Sequence, residues 1–161
     1  MNDNREKQIE NLILDNYERY YKLAYSYVHN EADALDIVQE GAYKAILRCE
    51  TLKDSSFANT WIYRIMLNEI FLFCRRNKQI TMEDYETLNL SQEDFSYEKE
   101  KDIMLQEALN NLPDKEKAIV ELRYFEDLKL EEISDILGEN LSTVKSRLYR
   151  ALDKLKVSMA E

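Results

Sequence analysis

Glycine and proline are almost absent from this chain, and their scarcity limits the folds that it can adopt more than any other feature. The 161 residues include only two glycines and one proline. Tight turns and strand ends rely on these residue types, whereas the interiors of α-helices exclude them. Apolar residues make up 45% of the chain, which is enough to support a folded core. The composition therefore predicts an all-α protein.

The first half of the chain has the periodicity of a helical bundle. The apolar face of its first helix consists of Tyr17, Tyr20, Tyr21, Ala24 and Val28. A second helix is predicted from about Ala34 to Leu47, with Asp33 as its N-cap. A third is predicted from about Ala58 to Asn77, with Trp61 packed in the core. The polar segment from Arg48 to Ser56 between them predicts a loop.

An acidic segment separates the two halves. Residues 81–102 contain eight acids and two lysines, with serine, asparagine and glutamine between them. Repulsion between like charges predicts a flexible linker, with a short helical piece near its end. The expected organisation is two small helical domains, residues 1–79 and 104–161, joined by an acidic linker at 80–103.

The stretch from Leu130 to Leu155 predicts a helix-turn-helix. The apolar face of its first helix consists of Ile133, Ile136 and Leu137. Ser134 is the small residue expected where the two helices cross, and Gly138 allows the positive φ of the turn. Asn140 is a suitable cap for the second helix. Glu139 occupies a position where an apolar residue is usual. Either the turn is therefore looser, or Leu141 fills the space that the apolar residue would take.

The second helix of this motif is amphipathic. Its apolar stripe consists of Val144, Leu148, Ala151, Leu152 and Leu155. The outward face and its flanks carry Ser142, Thr143, Lys145, Ser146, Arg147, Tyr149, Arg150 and Lys154. Hydroxyls and cations in this arrangement are typical of a recognition helix in the major groove of DNA. The simpler alternative is an amphipathic helix with a solvated basic face.

Charge is distributed unevenly along the chain. The formal net charge is −10, yet residues 58–80 and residues 141–161 each carry +3. Phosphate contacts dominate affinity for DNA, so the free chain is expected to bind DNA poorly. Its two basic segments could still bind DNA locally if another protein carried the chain there.

Two groups of motifs resemble the sigma factors of bacterial RNA polymerase. In the second half they are Asn111-Leu112-Pro113, Leu122-Arg123-Tyr124-Phe125, Glu132 to Gly138 and Thr143 to Ala151. In the first half they are Tyr21 to Tyr25, Asp33 to Glu40, Trp61 to Ile65, Asn68 and Arg75-Arg76. The resemblance covers nearly the whole chain except the linker. A plan of these two domains alone is similar to the extracytoplasmic-function (ECF) group, and it implies a transcription initiation factor that recognises and opens promoters.

The resemblance also implies three sets of functional residues. The polymerase-binding set is Asp36, Gln39, Glu40 and Tyr43. The set for the minus-ten promoter element is Arg64, Asn68, Arg75, Arg76 and Lys78. Aromatic surface is implied from Trp61, Tyr63, Phe71 and Phe73, although Trp61 itself is expected in the core. A pocket for a flipped base is expected in the loop from Arg48 to Phe57. The set for the minus-thirty-five element is Ser142, Thr143, Lys145, Ser146, Arg147 and Arg150.

The expected partners are core RNA polymerase and promoter DNA. An anti-sigma factor is a further partner that the ECF group often has, although no residue pattern here selects one. No cofactor, metal or enzymatic activity is expected, because no nucleophile with a base, phosphate loop or metal cluster is present. The polar first ten residues and the lack of a long apolar run predict a cytoplasmic protein without membrane insertion. A free-standing helix-turn-helix regulator is the alternative function.

Overall fold

The computed structural model describes residues 2–77 and 97–160, which are helical apart from short turns. The first three helices are α1 (Asn2–Val28), α2 (Glu31–Leu47) and α3 (Ala58–Arg76), and the others are α4 (Tyr97–Asn110), α5 (Asp114–Tyr124), α6 (Leu130–Leu137) and α7 (Leu141–Ala160). Short 3-10 turns at Cys49–Thr51 and Ser55–Phe57 interrupt the predicted loop between α2 and α3. The prediction of an all-α protein is confirmed. Within the described ranges, no helix is long and apolar enough to cross a membrane.

Helices α1, α2 and α3 contact one another and form the first compact unit. Their apolar faces are buried at Ile9, Ile13, Leu23, Ala24, Val28, Ile37, Val38, Ala45, Ile62, Met66, Leu67 and Ile70. Tyr20 and Tyr63 are also buried, and their rings meet edge to face with centroids 5.3 Å apart. Tyr63 was predicted to supply aromatic surface, and this prediction is wrong because α1 covers it through Tyr20. Trp61, predicted in the core, is only half-buried.

The break between α1 and α2 differs from the prediction in its cap. His29 adopts a left-handed φ of 55°, which turns the chain after α1. Asn30 then has an extended conformation, and its side-chain oxygen accepts a hydrogen bond from the Asp33 backbone N–H at 3.0 Å. Asn30 is therefore the N-cap of α2, and Asp33 lies in the first turn, where an acid suits the helix dipole.

Gly41 allows α2 and α3 to approach closely. A Cβ atom at this position would lie 2.5 Å from Sδ of Met66, which is buried in α3. No carbon and sulfur atoms without a bond between them can stay at that distance, so any larger residue at position 41 must displace Met66. The glycine is therefore retained inside the helix despite its low helix propensity.

We expect Gly41→Ala to lower the free energy of unfolding of the first unit by about 1 kcal/mol. Overpacking costs about 1–3 kcal/mol, and the better helix propensity of alanine offsets roughly 1 kcal/mol of that. Urea unfolding followed by the fluorescence of Trp61, the single tryptophan, measures the change. In a Met66→Val background, which lacks Sδ, the overpacking cost should vanish and Gly41→Ala should stabilise the unit by up to about 1 kcal/mol. An equal cost in both backgrounds would exclude the Gly41–Met66 contact as its cause.

The second unit contains α4, α5, α7 and the first half of α6. Helix α4 begins at Tyr97, inside the segment predicted as linker, and ends before Pro113, which precedes α5. Residues 78–96, which include the greater part of the linker predicted at 80–103, lie outside the described residues. In α7 four residues of the predicted stripe, Val144, Leu148, Ala151 and Leu155, are buried, while the fifth, Leu152, is half-buried. Gly138 has φ 66° and ψ 34°, the left-handed conformation that the turn requires.

Candidate polymerase and nucleic-acid interfaces

The outer face of α2 is acidic and solvent-exposed. Asp36, Gln39, Glu40 and Tyr43 are all exposed, and their spacing of three and four residues puts them on one side of the helix. The opposite side packs through Ile37, Val38 and Ala45 against the rest of the unit. Leu47 lies one turn beyond Tyr43 on the same face and is 66% exposed, so the structure adds an apolar residue that sequence reasoning missed.

An ion pair between α2 and α3 decides which charges remain unneutralised. Lys44 is four residues after Glu40 and could pair with it along the helix. Instead the Lys44 Nζ binds Glu69 of α3, a contact that is partly buried. Lys44 is the only cation in α2, so Glu40 has no other cation on its own helix. Glu69 is the only acid in α3, so the arginines of α3 have no other acid on theirs. The outer face of α2 is thus acidic and that of α3 is basic.

The exposed side of α3 combines cations with an amide. Arg64, Asn68 and Arg75 are exposed and lie in a narrow arc, because steps of four and seven residues return to the same face. Arg76 is also exposed and flanks this arc, whereas Lys78 lies outside the described residues. A row of guanidinium and amide donors on a rigid helix can bind phosphates and unpaired bases.

The loop before α3 is held by the N-terminal part of α1. The Arg5 guanidinium donates to the Leu52 carbonyl oxygen, and the Gln8 side-chain amide donates to the Ser55 carbonyl oxygen at 3.2 Å. The Asp54 carboxylate accepts from both the backbone N–H and the hydroxyl of Ser56, at 3.0 and 2.8 Å. These contacts fix the loop carbonyls while Phe57, 55% exposed, stays available at the start of α3.

The hydrogen bonds between Asp54 and Ser56 depend on the ionisation of the Asp54 carboxyl. The Ser56 backbone and hydroxyl hydrogen bonds, which favour the carboxylate, lower the pKa of Asp54 below its ordinary value. The folded pKa is depressed, so this stabilisation is present above the ordinary pKa of about 3.9 and is lost as pH falls through the folded value. We expect the NMR shift of the Ser56 amide proton to titrate with a midpoint below about 3.9. The Asp54→Asn variant should lack this titration, and a midpoint at or above 3.9 would contradict the assignment.

The recognition helix presents the predicted polar groups outward. Ser142, Lys145, Ser146 and Arg150 are exposed, and Thr143 and Arg147 are half-buried. Thr143, Arg147 and Arg150 share one flank of α7 because they are spaced by four and three residues. Tyr149 is 64% exposed beside them, so it adds an aromatic ring to the surface. Its position on the outward face was visible in the sequence, but it was not among the predicted contact residues.

The turn of the motif contains a charge cluster that the sequence did not indicate. Oε1 of Glu139 lies 2.9 Å from the Lys115 Nζ and 2.9 Å from the Arg147 Nη1. The position usually taken by an apolar residue is therefore occupied by a carboxylate that binds two cations through one oxygen. No local spacing could have revealed this, because Lys115 precedes Glu139 by 24 residues.

Comparison with known proteins decides the family. The family model described as Sigma-70 region 2 matches residues 12–80, and that described as Sigma-70, region 4 matches residues 102–155. The RNA polymerase sigma factor SigV of Bacillus subtilis (strain 168) is 45% identical over 152 residues, which span 92% of this chain and 89% of that protein. The chain belongs to the sigma-70 family of RNA polymerase sigma factors. This sigma factor is a transcription initiation factor and not an enzyme, and it directs core RNA polymerase to promoter DNA.

Two further similarities concern the subgroup and the fold. The ECF RNA polymerase sigma factor SigE of Mycolicibacterium smegmatis is 31% identical over 159 residues, which span 94% of this chain and 62% of that protein. This sigma factor accordingly falls in the ECF group. The sigma factor RpoE of Bartonella quintana, solved in complex with the anti-sigma factor NepR, has a TM-score of 0.73 at 20% identity and covers 96% of this chain and 98% of that chain. At this identity the likeness shows a shared fold.

Proposed function

We propose that this sigma factor divides polymerase binding and promoter recognition among three surfaces, each built on one helix. The segregation of exposed charge supports the proposal: the outer face of α2 is acidic, while those of α3 and α7 are basic. The expected organisation into a core-binding domain at 1–79, a linker at 80–103 and a helix-turn-helix domain at 104–161 follows the same division. Acidity of the linker suits passage through a polymerase channel that otherwise holds nucleic acid.

The face of α2 formed by Asp36, Gln39, Glu40 and Tyr43 binds the coiled coil of the largest polymerase subunit. A basic coiled coil and an acidic helix face attract each other and align in a defined register. The ion pair of Lys44 with Glu69 supports this role, because it removes the cation that would neutralise Glu40. Tyr43 adds an aromatic ring to this face, and tyrosine is enriched among the residues that contribute most of the binding energy at protein interfaces.

The surface of α3 handles the minus-ten element. Arg64, Arg75, Arg76 and Lys78 bind the backbone of the separated strand, and Asn68 contacts a base edge. The loop from Arg48 to Phe57 receives a flipped base, for which Phe57 is a stacking group. The contacts of α1 with the Leu52 and Ser55 carbonyls support this role, since a pocket selects a base only if its backbone is fixed.

The recognition helix α7 reads the minus-thirty-five element. Ser142 and Thr143 in its first turn bind phosphate, which the N-terminus of a helix favours. The remaining contacts, to base edges and phosphates, come from Lys145, Ser146, Arg147 and Arg150. Tyr149 adds apolar contact with a thymine methyl group. Burial of the stripe at Val144, Leu148, Ala151 and Leu155 supports this role, because it orients the polar face outward.

An anti-sigma factor and a cytoplasmic location complete the proposal. The Bartonella quintana relative is bound to an anti-sigma factor, and a protein of that class would act on this chain by covering its polymerase-binding surface. Core polymerase and promoters lie in the cytoplasm, which is where the chain would act.

Transcription in vitro tests the proposal. The purified protein is added to core RNA polymerase free of other sigma factors, with fragmented genomic DNA as template, and the RNA start sites are mapped. We expect discrete starts that share two spaced upstream elements. No new starts, together with tight binding of duplex DNA by the protein alone, would contradict the assignment of the three surfaces.

A further inference from the structure

Glu139 binds two cations at the turn of the helix-turn-helix, although it lies outside the recognition helix. Its Oε1 accepts hydrogen bonds from Arg147 Nη1 and from Lys115 Nζ, each at 2.9 Å. The Glu139 side chain is 14% exposed and that of Arg147 is 30% exposed. A charge-assisted bond that is mostly shielded from water holds its geometry better than an exposed ion pair.

Both backbone polar groups of Glu139, its N–H and its carbonyl oxygen, are hydrogen-bonded to Ser134. Its N–H donates to the Ser134 carbonyl oxygen at 3.1 Å, and its own carbonyl oxygen accepts from the Ser134 hydroxyl. The preceding Gly138 has a left-handed conformation that closes the turn. The carboxylate therefore extends from a rigid point, and its bond to Arg147 determines where that guanidinium lies.

The direction of the Arg147 side chain depends on its bond to Glu139, because of where Arg147 lies on α7. It lies on the flank of the helix, between the buried stripe and the outward face, so its side chain must be directed to reach DNA. A guanidinium is planar and has donors on more than one edge. With Nη1 bound to Glu139, the Nη2 and Nε donors remain for a base or a phosphate. An arginine already held on one edge also loses less conformational entropy on binding.

We propose that Glu139 is a positioning residue for promoter recognition, which fixes the Arg147 guanidinium for contact with the minus-thirty-five element. The proposal rests on the function proposed above, since it requires that α7 reads that element. It assigns part of the promoter selectivity to a residue that precedes the recognition helix. An apolar residue at position 139 would leave Arg147 free to adopt other rotamers in water.

The test compares the selectivity of holoenzymes containing wild type, Glu139→Val or Glu139→Gln. Valine removes both carboxylate oxygens, whereas glutamine keeps an acceptor without its charge. Initiation is measured on the natural promoter and on templates with single base changes across the minus-thirty-five element. We expect Glu139→Val to reduce discrimination about 10-fold at the base pairs that Arg147 contacts, and Glu139→Gln to reduce it less. Arg147→Ala should lose discrimination at the same base pairs.

A double variant and a matched control separate positioning from other roles. In an Arg147→Ala background, Glu139→Val should have no additional effect on discrimination. The control is Glu116→Gln, because Glu116 is a buried carboxylate of the same unit that binds Lys154 at 3.0 Å, and it should leave discrimination unchanged. Circular dichroism at the assay temperature checks that each variant is folded.

The outcomes distinguish this proposal from the function on which it rests. If wild type gives no discrete starts, the proposed function fails, and the positioning role fails with it. If wild type is selective and Glu139→Val retains that selectivity, only the positioning role is overturned. A uniform change at all templates would also overturn it, because loss of stability or of repulsion from phosphates affects every sequence equally.

Discussion

Replacing Asp36 and Glu40 together by lysine is expected to weaken binding of core RNA polymerase by at least about 100-fold. Both carboxylates are exposed on the outer face of α2, and the nearest helical cation, Lys44, is bound to Glu69. Reversal converts two attractions to a basic coiled coil into two repulsions. The fold should survive, because the substitutions touch no buried residue, and like-charge pairs along a helix cost only about 0.2–0.5 kcal/mol each.

Titration of labelled core polymerase with each protein measures this effect. The matched control is Asp15→Lys with Glu18→Lys, which makes the same charge change at two exposed acids of α1. The control should bind with nearly the wild-type affinity, and far-ultraviolet circular dichroism should show equal helicity in both. Equal affinity of the α2 variant and wild type would remove this face from the polymerase interface. Equal losses in both variants would indicate a long-range effect of net charge instead.

The parts of the fold that could be predicted are those that local patterns determine. The stripe of α7 is buried at four of its five predicted positions, and Gly138 has the conformation that its place in the motif requires. The exposed polar face of α2 follows from the same rule, since residues three and four apart share a side of a helix. Helical periodicity and a turn glycine are both properties of residues fewer than ten positions apart. These features of the fold could therefore be predicted from the sequence.

The features that could not be predicted depend on contacts between distant residues or on competition between equivalent ones. Tyr63 is buried because the ring of Tyr20 in α1 packs against it. The ion pair of Glu139 with Lys115 joins the turn after α6 to the start of α5. Asn30 and Asp33 are both good caps, and the left-handed turn at His29 favours Asn30. The short helical piece expected near the end of the linker is the first part of α4, which begins at Tyr97, and its exact start could not be predicted because acids favour a helix N-terminus as well as a charged linker.

Charge provides the clearest case of a local property that depends on tertiary structure. The sequence shows a basic segment at residues 58–80 inside an acidic chain, but it does not show which acids neutralise it. The structure assigns the only acid of α3, Glu69, to Lys44 of α2. Glu69 therefore does not serve as a partner for the three arginines of α3, which are exposed at the surface, where they can contact phosphates.

Removing two of those arginines, Arg64→Ala with Arg75→Ala, should reduce open-complex formation by about 10- to 100-fold at moderate salt. They lie on one face of α3 and both are exposed, so each is placed to neutralise a phosphate of the minus-ten region. A phosphate contact releases counterions, with a slope in log affinity against log salt of about 0.7 per contact for a single strand and 0.9 for a duplex. The double variant should therefore lower the slope by about 1.4–1.8.

The salt slope distinguishes this role from base recognition on the same helix. Asn68→Ala should change the preference among minus-ten sequences while leaving the slope unchanged, because an amide releases no counterion. The control for charge is Lys7→Ala with Lys22→Ala, two exposed lysines of α1, which should change neither quantity. Holoenzyme binding to a promoter fragment is measured between about 50 and 200 mM salt, the range over which phosphate contacts dominate. An unchanged slope in the arginine variant would show that α3 meets the promoter through its neutral groups, and the polar contacts of the minus-ten element would then fall to Asn68 and the loop before it.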